Sequence, residues 1–226
     1  DVRYALAVTG GQIHVVQAGA AVAEIHGADL LGMASADGDL FVARLGGPIE
    51  SYRVGEATGT LEPRWTNTSA GVTGELTVVS NLRLAFRTVG GVRMVFRQNG
   101  ETAASAKVDG AVTGFAGTNA LLAAAGPNGD LMIWGTDDLS PQSVNLGELA
   151  PKATRVLGET ADGIVALGPT HLFGVARGNK GWELRWAFGD LKAAVGVVQD
   201  GNGDFWVSET GGVRKITPSY HPTTTK

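Results

Sequence analysis

Six times along the chain, a turn rich in Gly, Asn or Asp runs directly into a short apolar stretch. The six lines are TGGQIHVVQAG, ADGDLFVARLGG, VSNLRLAFRTVGG, PNGDLMIWGT, GPTHLFGVAR and GNGDFWVSETGG. Their first core residues are Ile13, Leu40, Leu84, Leu131, Leu172 and Phe205, spaced by 27, 44, 47, 41 and 33 residues. Such a period marks an array of one supersecondary unit, and a mean of about 38 residues suits four short strands. A second apolar run precedes each line (YALAV, LLGMAS, ELTVV, ALLAAA, GIVAL, AVGVV). A third follows it (AAVAEI, PIESYRV, VRMVFRQ, PQSVNL, WELRWAF, GVRKIT). The longer intervals hold a fourth, such as Leu61–Thr66 or Thr102–Val108. No segment sustains a helical period.

Short strands with regular turn signals define an all-β chain, and the recurring unit favours a β-propeller over a sandwich or barrel. We expect the propeller to span residues 1–218. About 22 strands fall between five and six four-stranded blades, so six blades are expected, with five as the alternative. Registers stay open: residues 111–146 also divide into four strands with ALLAAA second and DLMIWG third, one strand out from the other units. A propeller leaves no open edge between its first and last blades. The last unit shows only three strands (KAAVGVV, DFWVSE, VRKIT), so its fourth is expected from the N-terminal DVRYALAV or from a partner chain.

Composition narrows the function classes. Glycine supplies 34 of 226 residues and charged residues only 18%, which indicates many turns rather than disorder. A net charge of −4 argues against nucleic-acid binding by the chain as a whole. No apolar run approaches the roughly 18 residues that span a bilayer as a helix. With no cysteine there are no disulfides, thiolate metal sites or cysteine nucleophile. Residues 219–226 (SYHPTTTK) read as a Pro/Thr-rich tail or the start of a linker, of a type common outside cells.

The stretch DGNGDFWVSETGGVRKITP, Asp200 to Pro218, resembles the blade pattern of NHL-type and gluconolactonase-like propellers and of the sensor propellers of two-component regulators. In those families an Asp-Gly-x-Gly turn precedes a strand of the type LWV, then Gly-Gly and a strand ending in I-x-P. Residues Ala36–Val54 are a second copy. The resemblance implies the fold and not an activity, because propellers host lyases, lactonases, lectins and bare scaffolds.

Few residues carry chemistry on their own. Asp200, Asn202 and Asp204 alternate like calcium ligands, but an EF-hand loop needs Gly at its sixth position and an acid at its twelfth. Here those are Phe205 and Gly211. The acids read as turn residues, with a surface calcium as the alternative. His14, His26, His171 and His221 are scattered, and no histidine pair of a propeller lyase is evident. Glu24, Glu75, Glu159 and Glu209 lie near strand ends, where a lactonase-type metal site would draw its ligands. Asn67-Thr68-Ser69 is a glycosylation sequon. In GWELRWAFG, alternation places Trp182, Leu184, Trp186 and Phe188 on one face, and Trp134 and Trp206 are expected in the core.

The sharpest local feature is the arginine hairpin LRLAFRTVGGVRMVFRQ, Leu82–Gln98. A two-residue Gly90-Gly91 loop would pair Arg87 with Met94. A three-residue loop, Val89–Gly91, would pair Arg87 with Arg93 and Arg83 with Arg97. The second keeps one face apolar and gathers Arg83, Arg87, Arg93 and Arg97 on the other. Like charges directly opposite are unfavourable, so that face calls for acidic neighbours, solvent or an anionic partner. The expected function is therefore a non-catalytic protein-binding or scaffolding module, extracytoplasmic and part of a larger chain or assembly. No cofactor is expected. The partner is a protein, or an anionic surface or glycan. A metal-dependent lactonase-like or lyase-like enzyme and a glycan-binding lectin are the alternatives.

Overall fold

A computed structural model of the chain describes residues 4–218, apart from 10–11, 18–19, 27–28, 46, 56–59, 111, 118–120 and 161–162. The expected linker at 219–226 lies outside the described residues. Among the described residues all regular structure is β, in six sheets. The first comprises β1 (Tyr4–Thr9), β2 (Gln12–Gln17) and β3 (Ala20–His26). The second comprises β4 (Leu30–Ala36), β5 (Asp39–Arg44), β6 (Ile49–Val54) and β7 (Leu61–Asn67). The third holds β8 (Val72–Val78), β9 (Arg83–Thr88), β10 (Gly91–Phe96) and β11 (Thr102–Lys107), and the fourth β12 (Thr113–Gly117), β13 (Leu121–Ala125), β14 (Leu131–Gly135) and β15 (Pro141–Gln142). The fifth is built from β17 (Arg155–Thr160), β18 (Gly163–Leu167), β19 (Leu172–Gly178) and β20 (Gly181–Phe188), with the two-residue β16 (Val144–Asn145) added parallel to β20. The sixth is β21 (Gly196–Gln199), β22 (Phe205–Glu209) and β23 (Gly212–Ile216). The chain divides into two compact units, residues 1–111 with 136–139, and residues 112–135 with 140–226.

In the first unit, β5 alternates between two cores. Leu40 and Val42 pack with Ile13 and Ile25 of the first sheet. Phe41 and Ala43 pack with Leu84, Phe86 and Val95 of the third. The second sheet is thus covered on both faces, which explains its unbroken apolar run: a strand buried on both sides has no polar face to alternate with. The fifth sheet repeats this in the second unit. Ile164, Ala166, Phe173 and Val175 meet the fourth sheet, and Val165, Leu167 and Leu172 meet the sixth. First strands of adjacent sheets lie side by side, β4 along β8 and β12 along β17.

Turn chemistry matches its residues. Between β4 and β5, Asp37 and Gly38 both have positive φ, 53° and 79°, the signature of a two-residue Asp-Gly hairpin turn. Three expectations change. The repeat lines Leu131 and Leu172 fall on third strands of their sheets, whereas Leu40 and Leu84 fall on second strands. The alternative division of residues 111–146 is the one that forms. The described part of the N-terminal strand belongs to the first sheet, where β1 pairs antiparallel with β2, Tyr4 opposite Gln17. The aromatic strand does not keep one face. Between the pairs Val175–Leu184 and Gly174–Trp186 the register shifts by one residue. This bulge at Arg185 leaves Trp182 and Leu184 against the fourth sheet and turns Trp186 toward the sixth.

Phe41 lies fully buried beside Trp65 and under the Arg97 guanidinium. Phe41→Ala should cost about 3–5 kcal/mol in urea unfolding. Leu45→Ala, at an exposed position, should stay within about 0.5 kcal/mol of the parent.

Candidate functional site

The β9–β10 hairpin closes through Val89-Gly90, a loop that neither expected register used. Thr88 pairs with Gly91, Arg87 with Val92, Phe86 with Arg93 and Arg83 with Phe96. Opposite residues share a face, so Arg83 and Arg87 lie on one face and Arg93 and Arg97 on the other. The four-arginine face does not form. The reason lies in the next strand: a Cβ at Gly91 would strike the backbone carbonyl of Ala106 on β11. Only a glycine inside the strand, rather than in the loop, lets β10 and β11 approach.

Each arginine has a different task. Arg97 is buried, and its Nη1 donates to Asp37 Oδ2 at 3.0 Å and to the carbonyls of Asn81 and Ser80. Its Nη2 donates to the Ala36 carbonyl at 2.9 Å. One side chain therefore ties the β4–β5 turn to the β8–β9 loop. Arg83 makes a similar clamp, donating to the Thr136 carbonyl and to Asp137 Oδ1 at 2.8 Å. Arg87 folds over Gly74 and donates to the Thr73 carbonyl within its own sheet. Arg93 is half-buried and spans to the loop after β7, where its Nη1 donates to the carbonyls of Ser69 and Ala70.

Arg93 also lines a cleft of about 410 Å³. Its walls are the Ser69–Gly71 loop, the hairpin tip Thr88–Gly90, and Ser105–Lys107 of β11. Arg93 and Lys107 are the charged residues lining it, and both are cationic. Val89 stands 86% exposed at its rim. Sequence reasoning missed Lys107, because only the β10–β11 register brings it to the hairpin, opposite Gly91. A shallower cleft of about 330 Å³ in the second unit has the opposite character, with Glu148 and Glu183.

Several of the remaining sequence candidates are bound into the scaffold. Asp200 Oδ1 accepts from the N–H groups of Asn202 and Asp204, and Oδ2 from the Trp206 indole at 3.0 Å. The Trp206 hydrogen bond, helped by the two backbone donors, holds the Asp200 carboxyl below the usual range. Asp204 is likewise lowered by its 2.6 Å bridge to Lys215 Nζ and by Thr217, and Lys215 is raised by the same pairing. Trp206 is 40% exposed and so is not a core residue as expected, whereas Trp134 is buried. Asn67 of the sequon donates to the Gly100 carbonyl and accepts from the Ser69 N–H and hydroxyl, so its side-chain amide is part of a turn. Glu24 pairs with His14, and Glu209 pairs with Arg214 and caps the Lys192 N–H. Glu75 is exposed on β8. The side chains of His26, His221 and Glu159 lie outside the described residues. His171 Nδ1 meets the Thr170 hydroxyl. Among the described residues, no three His, Asp or Glu side chains group as metal ligands.

A polar network that sequence reasoning did not single out joins Asp29, Arg44, Glu50 and Tyr52. Burial foremost, and then the bond to Glu50, raises the Tyr52 hydroxyl pKa. The Glu50 hydrogen bond raises that of Arg44.

No family model matches the sequence, and no curated protein does. Solved structures of similar shape do exist. AztD from Citrobacter koseri superposes with a TM-score of 0.68 at 15% identity, over 94% of this chain and 66% of that one. BamB from Moraxella catarrhalis gives 0.56 at 14%, over 94% and 83%. A chain of the mitotic checkpoint complex gives 0.67 at 14%, over 90% and 67%. The fold is a β-propeller. This chain spans about two thirds of the length of AztD and of the checkpoint chain.

Two outcomes separate structural charges from available ones. Arg97→Ala removes a buried side chain that ties the β4–β5 turn to the β8–β9 loop and should cost about 1–3 kcal/mol, against under 1 kcal/mol for Arg93→Ala, by urea unfolding. The lowered Asp200 carboxyl makes the turn's contribution complete above the ordinary carboxylate value, about 3.9. That contribution disappears as pH falls through the lower folded value. The Trp206 indole N–H resonance should therefore hold steady from neutral pH down to about 4 and shift only below it. Movement at higher pH would contradict the Asp200 pairing.

Proposed function

We propose that this chain is a non-catalytic protein-binding or scaffolding propeller that docks an acidic protein segment in the cleft beside the β9–β10 hairpin. The observation that carries the reading is the cleft itself. Its lining charges are Arg93 and Lys107, both positive, on a chain of net charge −4. A guanidinium has five N–H donors, so the carbonyl bonds of Arg93 leave donors for a ligand. The exposed Val89 adds an apolar contact at the rim. Of the four arginines first grouped as a patch, Arg93 is the one this site uses, while Arg83, Arg87 and Arg97 hold the scaffold.

A propeller of comparable fold is a component of the mitotic checkpoint complex, which supports a binding role for this architecture. The Pro/Thr-rich composition of 219–226 supports an extracytoplasmic setting within a larger assembly. The reading includes no cofactor. Stoichiometric calcium, magnesium or zinc in the purified protein would redirect it toward the metal-dependent enzyme.

The double variant Arg93→Glu with Lys107→Glu tests the site. The protein is purified from its native source with whatever it binds, and the variant is compared with the parent at low salt. The co-purifying partner should fall at least about tenfold while the protein still unfolds cooperatively within about 5 °C of the parent. Undiminished capture at low salt would overturn the docking site.

A further inference from the structure

The outer strand of the third sheet has two distinct sides. β11 pairs with β10 through Val92–Ala106, Arg93–Ser105 and Met94–Ala104, and Lys107 lies opposite Gly91. Opposite residues share a face. Ser105 and Lys107 therefore lie on the Arg93 side, in the cationic cleft. By the same alternation Ala104 and Ala106 lie on the other side, beside the buried Met94 and Val92, and Ala106 also borders the cleft. One strand thus offers a polar, positive row and a small apolar row.

Among the described residues, the outer edge of β11 pairs with no further strand. At the end of the strand, the Val108 N–H donates inward to the Gly90 carbonyl. Backbone direction alternates along an antiparallel strand, so the N–H groups of Ser105 and Lys107 point outward. Natural sheets guard such edges with proline, charge or shortness. The second sheet ends on β7, which carries Glu62, Pro63 and Arg64, and the fourth on the two-residue β15. β11 is TAASAK, with no proline and one charge.

We infer that β11 accepts an extended polypeptide segment by strand addition, and that this segment alternates acidic with apolar residues. This rests on the protein-binding reading above and names how the partner binds. Ladder hydrogen bonds to the outward groups of Ser105 and Lys107 supply orientation, and alternate side chains supply selectivity. Acidic side chains fall beside Ser105 and Lys107, with Arg93 one strand further in on the same side. Apolar ones fall beside Ala104 and Ala106, whose methyl groups leave room for a branched neighbour.

The probe is a capped ten-residue peptide of alternating Val and Glu. A Val-Lys peptide of equal length and a Val-Glu peptide with a central proline serve as controls. Binding of the Val-Glu peptide alone, with slowed amide exchange at Ser105 and Lys107, is the expected result. Lys107→Glu should weaken it at least about tenfold. Ser105→Pro removes only an outward donor, as edge strands tolerate, and should abolish the protection at Lys107 while the fold persists. No protection at Ser105 and Lys107, or equal binding of the Val-Lys peptide, overturns strand addition. If the native partner still depends on Arg93 and Lys107 in that case, the binding reading stands and this inference alone fails. If the peptide protects β11 but the native partner ignores both cations, the inference stands and the docking site fails.

Discussion

Leu40, Phe41, Val42 and Ala43 are all fully buried, although successive side chains of a strand point to opposite faces. This is the constraint on which the rest depends. Such a strand must have an apolar layer on each side, so its sheet must sit between two others. The fifth sheet obeys the same rule through Ile164–Leu167 and Leu172–Phe173. The core is then not one mass but a series of thin layers between sheets. A middle sheet has no face left for a ligand. Recognition is pushed to turns, outer edge strands and the loops beside them, which is where the cationic cleft lies.

Charge serves the same architecture. The β4–β5 turn receives Arg97 from the third sheet and Arg53 from its own, through Ala36, Asp37 and Asp39. Arg83 grips Thr136 and Asp137, and Lys215 grips Asp204. In each case a long cation crosses from one strand end to a turn and meets both a carboxylate and a carbonyl, or a carboxylate alone. A buried guanidinium is tolerable when several acceptors converge on it, as they do on Arg97. Arginines that look like a binding surface in a linear sequence are, for the most part, fasteners.

The period of the repeat, the turn residues and the apolar runs were legible in the sequence. The hairpin register was not, because β11 decides it: Gly91 has to be a strand residue for Ala106 to approach. The face of Trp186 was not legible either, because one bulged residue at Arg185 reverses the alternation beyond it. The carboxylates at Asp200 and Asp204 could be identified as turn residues from their spacing. Their partners, Trp206 and Lys215, depend on strand pairing. Of the candidate site, Arg93 was visible from the hairpin and Lys107 was not.

By itself, then, the sequence determined that this chain is an array of short strands built from one recurring unit, since hydrophobic period and turn chemistry are local properties. Only the tertiary structure decided which faces those strands present and which charges end in the cleft. A one-residue slip exchanges the two sides of a strand, and the slip is set by contacts with neighbouring strands far away in the chain. That is why four arginines spaced for a single face separate into three fasteners and one cleft residue.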